Sequence, residues 1–294
     1  MKKEIKDMFP SWCEDKESNY ELIMSDDVDS LMCYIFQNRV FNREVKYFMD
    51  MSSHKAYQSY DKTVTRDGKQ ILYSSEDASF KKSKILGLDF SINNDIKSWD
   101  NHVVKISKND NYNNLSANLN IALDISSNNY TNKAIVSSFL TMLSYYEVDI
   151  SKWDKDQLAI LCAIDGVYYP FLNPKFASTG KHNLELLDYG FLGDFIKENI
   201  NYIKEVEQKL NLKNGKIWVN KESGLLETNI NLEELSNLFG ISIELPQNKF
   251  NGRKLEFKSK IFNFADNQDK VSFNKEIFNF ALTYKNSGIV SFTS

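Results

Sequence analysis

The sequence predicts an α/β fold: a mostly parallel sheet flanked by helices, followed by a second, smaller mixed α+β unit. Three observations carry that prediction. The apolar run at 21–24 passes through three acids into a helical spacing at 28–36. Two later apolar runs, 84–88 and 158–164, stop in the same way at Asp89 and Asp165. Acids delivered like this sit where open α/β sheets bind their ligands, at the carboxyl ends of strands. From residue 211 onward, short strand-like runs alternate with helical pieces, which suits a smaller mixed unit.

Taken in order, residues 1–19 are polar and mixed, a short helix or a surface arm. The first strand is Glu21–Met24, and Val28, Leu31, Met32, Ile35 and Phe36 then share one helical face. A second strand is expected at 45–49. Residues 52–83 are rich in Ser, Lys, Asp and Tyr and read as an insertion, with Asp67-Gly68 as a hairpin turn. Strands follow at Ile85–Leu88 and 103–106. The Asn-rich stretch 110–129 suits turns and the polar lining of a cleft. A helix is expected over 131–146, with Ala134, Ile135, Phe139, Met142, Leu143 and Tyr146 on one face. Residues 155–164 read as another helix, or as a helix running into a strand that ends at Asp165. Residues 173–183 read as a linker, residues 185–210 as mostly helical, and 216–219, 241–245 and 289–292 as short strands. The organisation expected is a first unit over 1–172, a linker and connecting helix over 173–200, and a smaller substrate-binding unit over 201–294.

Composition bounds the function. The 294 residues are 42% apolar and 26% charged, with a net charge of −4, which argues against a broadly basic protein that captures duplex nucleic acid by its overall field. Cys13, Cys33 and Cys162 are odd in number and form no CxxC pair, so they read as small buried hydrophobes in a reducing cytoplasm. No segment approaches the ~20 apolar residues of a membrane span, so no membrane partner is expected.

The acids carry the chemistry. Asp26, Asp27 and Asp29 lie so close in sequence that they repel one another unless a cation or proton compensates them. Asp89, Asp165 and the pair Asp100 and His102 join them if a sheet brings the run ends together. Hard oxygen ligands with one imidazole suit manganese or magnesium. Against this stands a plainer role: an Asp at a helix start is very often an N-cap worth ~1 kcal/mol. For any one Asp the cap is the stronger reading. For the ordered set, the functional reading is stronger.

Asp27-Val28-Asp29-Ser30, Asp89, Asp100-Asn101-His102 and Asp165, in that order over roughly residues 20–170, resemble the four-motif pattern of the DHH phosphoesterases. That family includes RecJ-like exonucleases, nanoRNases, cyclic-dinucleotide phosphodiesterases and the manganese inorganic pyrophosphatases. The resemblance implies metal ligation by Asp27, Asp29, Asp89 and Asp165, with Asp89 bridging, and one or two ions of Mn2+ (or Mg2+). It implies a catalytic role for His102, facing the scissile phosphate, with Asp100 beside it. The substrate class it implies is a small phosphate ester or a short single-stranded nucleic acid, and it leaves homodimerisation open. Asn101 stands where the family has a metal-binding His, and an amide oxygen is a poorer ligand. Ser25 or Ile23 stands where members carry an upstream His or Asp, and no glycine-rich GGGH-like run occurs in the C-terminal part.

Those departures motivate an alternative, a degenerate DHH-like fold kept as a nucleotide- or protein-binding module. Asp27-Val28-Asp29-Ser30-Leu31 also resembles the first motif of haloacid-dehalogenase-like phosphatases, which implies an aspartyl-phosphate at Asp27; that reading leaves Asp100, His102 and Asp165 without roles. Among the remaining polar residues, His54 and His182 read as solvated. Arg66, Lys133 and Lys181 read as exposed cations or phosphate contacts, and Tyr168-Tyr169 and Trp99 as core or as walls of the site.

Overall fold

The computed structural model describes residues 1–51, 66–93, 95–263 and 276–293. His54 and residues 52–65 of the expected insertion lie outside the described residues, as does the side chain of Arg66.

The N-terminal arm forms a one-turn helix, α1 (Lys3–Lys6), and a 3-10 turn at Ser11–Glu14 that buries Trp12 and Cys13. The strand β1 (Glu21–Met24) leads into α2 (Val28–Phe41), which crosses over to β2 (Glu44–Asp50), parallel to β1. Helix α2 begins where the Asp27 carboxylate accepts the Ser30 N–H at 3.2 Å. It ends at Asn42 in the left-handed conformation, a common helix stop. The strand β3 (Arg66–Ser74) pairs antiparallel with β2. The Asp67-Gly68 hairpin turn is therefore not formed, because both residues lie within β3 and pair with Lys260 and Ser259. Strands β4 (Ile85–Leu88), β5 (Lys97–Trp99) and β6 (Ser116–Ala117) extend the sheet in parallel on the far side of β1.

Helices α3 (Leu119–Ala122), α4 (Ser138–Tyr145) and α5 (Lys155–Ala163) follow. The helix expected over 131–146 is shorter than its apolar spacing suggests: Ser137 caps α4, and the stretch before it lends its carbonyls to asparagine side chains instead. The linker expected at 173–183 is helix α6 (Pro174–Leu186). Asn173 caps it and Pro174 sits at its first turn, where the missing N–H costs nothing. Helix α7 (Phe191–Lys209), the ribbon β7 (Ile217–Val219) with β8 (Leu226–Thr228), and α8 (Leu232–Phe239) complete the helical layer. The strand expected at 241–245 is irregular backbone; the Ile243 N–H is taken by the Ser236 hydroxyl at 2.9 Å. At 103–106 only Val103 bridges another strand, since the Ile106 N–H goes to the Asp110 carboxylate.

The last strands, β9 (Lys254–Asn263), β10 (Ile277–Tyr284) and β11 (Ser287–Thr293), join the first sheet through β3. The result is one nine-stranded sheet in the order β10-β11-β9-β3-β2-β1-β4-β5-β6 and a small two-stranded one. Four of the eight pairings in the large sheet are parallel, so it is mixed rather than mostly parallel. It curls: β10 bridges Ile92 and Val103, which follow β4 and β5 at the opposite end. The expected separation of a smaller C-terminal α+β unit is not seen at this level, because the C-terminal strands extend the same sheet. Trp99 packs at ring distances of 5.5–6.2 Å against Phe9, Trp12, Tyr145 and Tyr146, which makes it core rather than a wall of the site. Among the described residues no helix is long and apolar enough to cross a membrane.

Candidate active site at the carboxyl edge of the sheet

Strands β1, β4, β5 and β6 run parallel, so their carboxyl ends share one edge, and each is followed there by a polar residue. After β1 come Asp26, Asp27 and Asp29; Asp89 follows β4, Asp100 follows β5 and Asn118 follows β6. Asp165 arrives differently. It leaves helix α5 in a tight turn, not the end of a strand, with Asp165 (φ 51°) and Gly166 (φ 65°) both left-handed. A Cβ on Gly166 would lie 2.3 Å from the Tyr169 ring. Gly166→Ala is expected to destabilise the fold by roughly 2–4 kcal/mol, from backbone conformation and overpacking together. A thermal melt checks it.

The side chains of Asp29, Asp165 and Asn101 meet, and Ser138 links Asp89 to them. Asp29 is buried and accepts the backbone N–H groups of Ser138 and Phe139 at 2.7 and 2.8 Å, in the first turn of α4. A carboxylate at a helix N-terminus is stabilised by those donors and the helix dipole. The Ser138 hydroxyl donates to Asp89 at 2.8 Å, so one residue ties α4 to two of the acids. The Asn101 amide donates to Asp165 at 2.6 Å and reaches Asp29 at 3.5 Å. The same nitrogen donates to the Val136 carbonyl at 3.2 Å. Because that carbonyl can only accept, it sets which end of the amide faces the acids. Asn101, expected as an oxygen ligand, turns its N–H groups to the carboxylates.

His102 is held by its neighbour. Its Nδ1 lies 2.7 Å from Asp100 Oδ1, and its backbone N–H donates to the same oxygen at 3.1 Å. Asn118 in turn donates to Asp100 Oδ2 at 2.9 Å and to the His102 carbonyl at 2.8 Å. Asn120 donates to the Asn101 carbonyl at 2.7 Å.

The electrostatics follow from crowding. Burial, then the charges of Asp89, Asp165 and Asp27, push the Asp29 carboxyl well above its usual range. Burial and the Asp27 charge do the same to Asp89, against the pull of His102. Asp165 is open to solvent on one side, yet protein surrounds it closely enough that desolvation still raises it, opposed by Lys133 and His102. Burial lowers His102, but the hydrogen bond to Asp100 and the charges of Asp100, Asp89 and Asp165 outweigh it and lift the ring to about 9. Its side chain keeps 38% of its surface accessible, so it faces solvent rather than the core.

Two cations border the acids. Lys133, expected as an exposed cation or a phosphate contact, is largely desolvated, which lowers its amine, and its charge partners are Asp165 and Asp100. Lys216 carries no signal in the sequence. It reaches from the residue before β7 to Asp26 Oδ1 at 2.9 Å, and the Ile217 N–H bonds the Asp26 carbonyl. Asp26 is thereby turned away toward Lys216, and burial raises its carboxyl to about 6. Ser138, Asn118 and Asn120 were also not singled out; the Asn-rich composition of 110–129 was the available hint. Tyr168 and Tyr169 both bond Glu207, at 3.1 and 3.0 Å, which accounts for the pair as packing.

Hard carboxylate oxygens in excess of nearby positive charge are the donor chemistry of a Mg2+- or Mn2+-type ion. The prior engagement of each acid matters, however. Asp27 caps α2, Asp29 caps α4, and an amide stands between Asp29 and Asp165. Accordingly, among the described residues no three His, Cys, Asp or Glu side chains form a ready-made cage. The residues fit a single ion drawn in at Asp27 and Asp89 better than a second between Asp29 and Asp165. No protein-family model, curated protein or solved structure matches this chain.

Proposed function

We propose that the chain is a divergent DHH-like phosphoesterase, a metal-dependent hydrolase acting on a phosphodiester of short oligonucleotides, cyclic dinucleotides or a related small phosphate ester. One observation carries this reading: Asn101 and Ser138 link Asp29, Asp89 and Asp165, whose charges act on a His102 that Asp100 holds in place. The parallel run β2-β1-β4-β5-β6 supports the family assignment, because a parallel core with acids at its carboxyl edge is what the resemblance implies. A manganese or magnesium ion held by Asp27 and Asp89 would supply Lewis acidity and neutralise phosphate charge.

The chain's own residues do the rest. His102, its ring raised by the hydrogen bond to Asp100, is placed to donate a proton to the leaving oxygen or to hold the charged phosphate oxygens. Asp100 and Asn118 fix the ring, and Lys133 and Lys216 attract the anionic substrate. An Asn at position 100 has one acceptor oxygen for two partners: facing His102 it turns an N–H to the Asn118 amide, facing Asn118 it loses the ring's anchor, and either way the charge beside the ring is gone. Asp100→Asn is therefore expected to lower kcat about 10²-fold with KM little moved, read from steady-state kinetics.

The test of the activity is hydrolysis of a dinucleotide, short RNA and DNA, and a cyclic dinucleotide by EDTA-treated protein resupplied with Mn2+. Manganese-stimulated cleavage is expected. Calorimetry showing no divalent-ion binding sinks the reading. The N–H groups of Asn101 and the occupied oxygens of Asp29 favour a second reading, a non-catalytic nucleotide- or protein-binding module. Tight nucleotide binding without turnover, indifferent to metal, is its expected signature.

A further inference from the structure

A recess of about 220 Å³ lies beside the acid cluster and shares Asp100 with it. Its walls come from the loops after β4 and β5, from β6 and α3, and from β10, which reaches them because the sheet curls. Ile106, Ile121, Ile277 and Phe280 line it and are each only half-buried, and Tyr112 is 44% exposed. Half-buried apolar side chains converging on one concavity are unusual on a soluble surface and mark a place where something apolar docks.

The recess is not purely greasy. Asn93 and Ser116 belong to its lining, and the Ser116 hydroxyl, though buried, has no hydrogen-bond partner among the described residues. A buried hydroxyl without a partner is destabilising unless a ligand or water satisfies it. Asn113 is not free to help a ligand: its amide is committed to the Ile92 and Ile96 carbonyls and to the Leu115 N–H, which holds the wall rigid. The volume is below the roughly 300–1,000 Å³ of pockets for drug-sized ligands. It suits one ring system, not a whole dinucleotide.

We infer that this recess holds the nucleobase of the substrate, with its phosphate lying beyond Asp100, toward His102 and the acid cluster. The inference rests on the phosphoesterase reading and narrows it: the substrate is a nucleotide with a base, not inorganic pyrophosphate or a sugar phosphate. Tyr112 supplies a stacking face, the isoleucines and Phe280 the apolar floor, and Asn93 and Ser116 the hydrogen bonds to the ring edge.

The experiment is calorimetry of the full chain with adenosine 5′-monophosphate, cytidine 5′-monophosphate, ribose 5-phosphate, inorganic phosphate and the two free nucleosides. At least one nucleotide is expected to bind about ten-fold or more tightly than ribose 5-phosphate. Tyr112→Ala and Ile121→Ser, both at partly exposed positions, should each erase most of that preference and leave ribose 5-phosphate unchanged. Equal affinity for ribose 5-phosphate and both nucleotides overturns the base site while the phosphoesterase reading survives. Nucleosides binding as well as nucleotides would do the reverse, upholding the recess and removing the phosphate subsite. Absence of binding by any of these probes overturns both.

Discussion

Asp89→Asn is expected to abolish manganese-stimulated hydrolysis, by at least about 10²–10³-fold, and at the same time to raise the Tm of the metal-free protein at pH 8. The two effects have opposite signs for one reason. Asp89 is buried among Asp27, Asp29 and Asp165, and desolvation and that company make its ionised form costly. An asparagine of nearly the same shape keeps an acceptor for the Ser138 hydroxyl, which donates to Asp89 at 2.8 Å, and removes the charge. A residue kept for packing alone would lose stability on the same change. Kinetics with Mn2+ and a melt in EDTA read the two halves separately. A variant that is both active and less stable would show that Asp89 is a structural acid.

The metal-free protein is expected to lose stability steadily as pH rises from about 5 to 9, and Mn2+ is expected to reverse the trend. Asp29, Asp89 and Asp165 have carboxyls raised above their unfolded values, and Asp26 is raised to about 6. A raised acid favours the native state at low pH, where it is protonated, and that advantage disappears as pH climbs through the folded value. His102, raised to about 9, acts in the same direction: its gain is complete below its unfolded value near 6.5 and is lost through pH 9. The raised acids and His102 therefore all push the same way, and Lys133, whose amine is lowered, opposes them only toward the alkaline end. A bound cation favours ionised carboxylates, and at a hundred-fold excess over its Kd it adds about 2.7 kcal/mol. Melts at several pH values, with EDTA and with Mn2+, decide it. A flat profile in EDTA would mean that the acids are already compensated by the protein.

Much of the site was legible in the sequence, but not its wiring. The run Glu21–Met24 reads as a strand because it is short, apolar and followed at once by helical spacing, and the acid after Ile85–Leu88 reads as a strand end for the same reason. Local pattern suffices there. Asp165 follows a run of apolar residues that is helix α5; periodicity over so few residues does not separate a buried helix from a strand. Ser138 and Lys216 left no trace, since a serine at a helix start and a lysine before a strand are among the most ordinary residues of any chain.

From its order of residues alone, the chain determines which acids follow apolar runs and where the first helix and its crossover lie. Hydrophobic spacing and capping act over a few neighbours, so a linear reading can recover them. Only the tertiary structure decides that β9, β10 and β11 continue the first sheet, that its curl closes an apolar recess beside Asp100, and that Asn101 points its N–H groups at Asp29 and Asp165. Those outcomes depend on strand pairing and hydrogen bonding between residues up to about two hundred positions apart, and no local pattern encodes which partner wins.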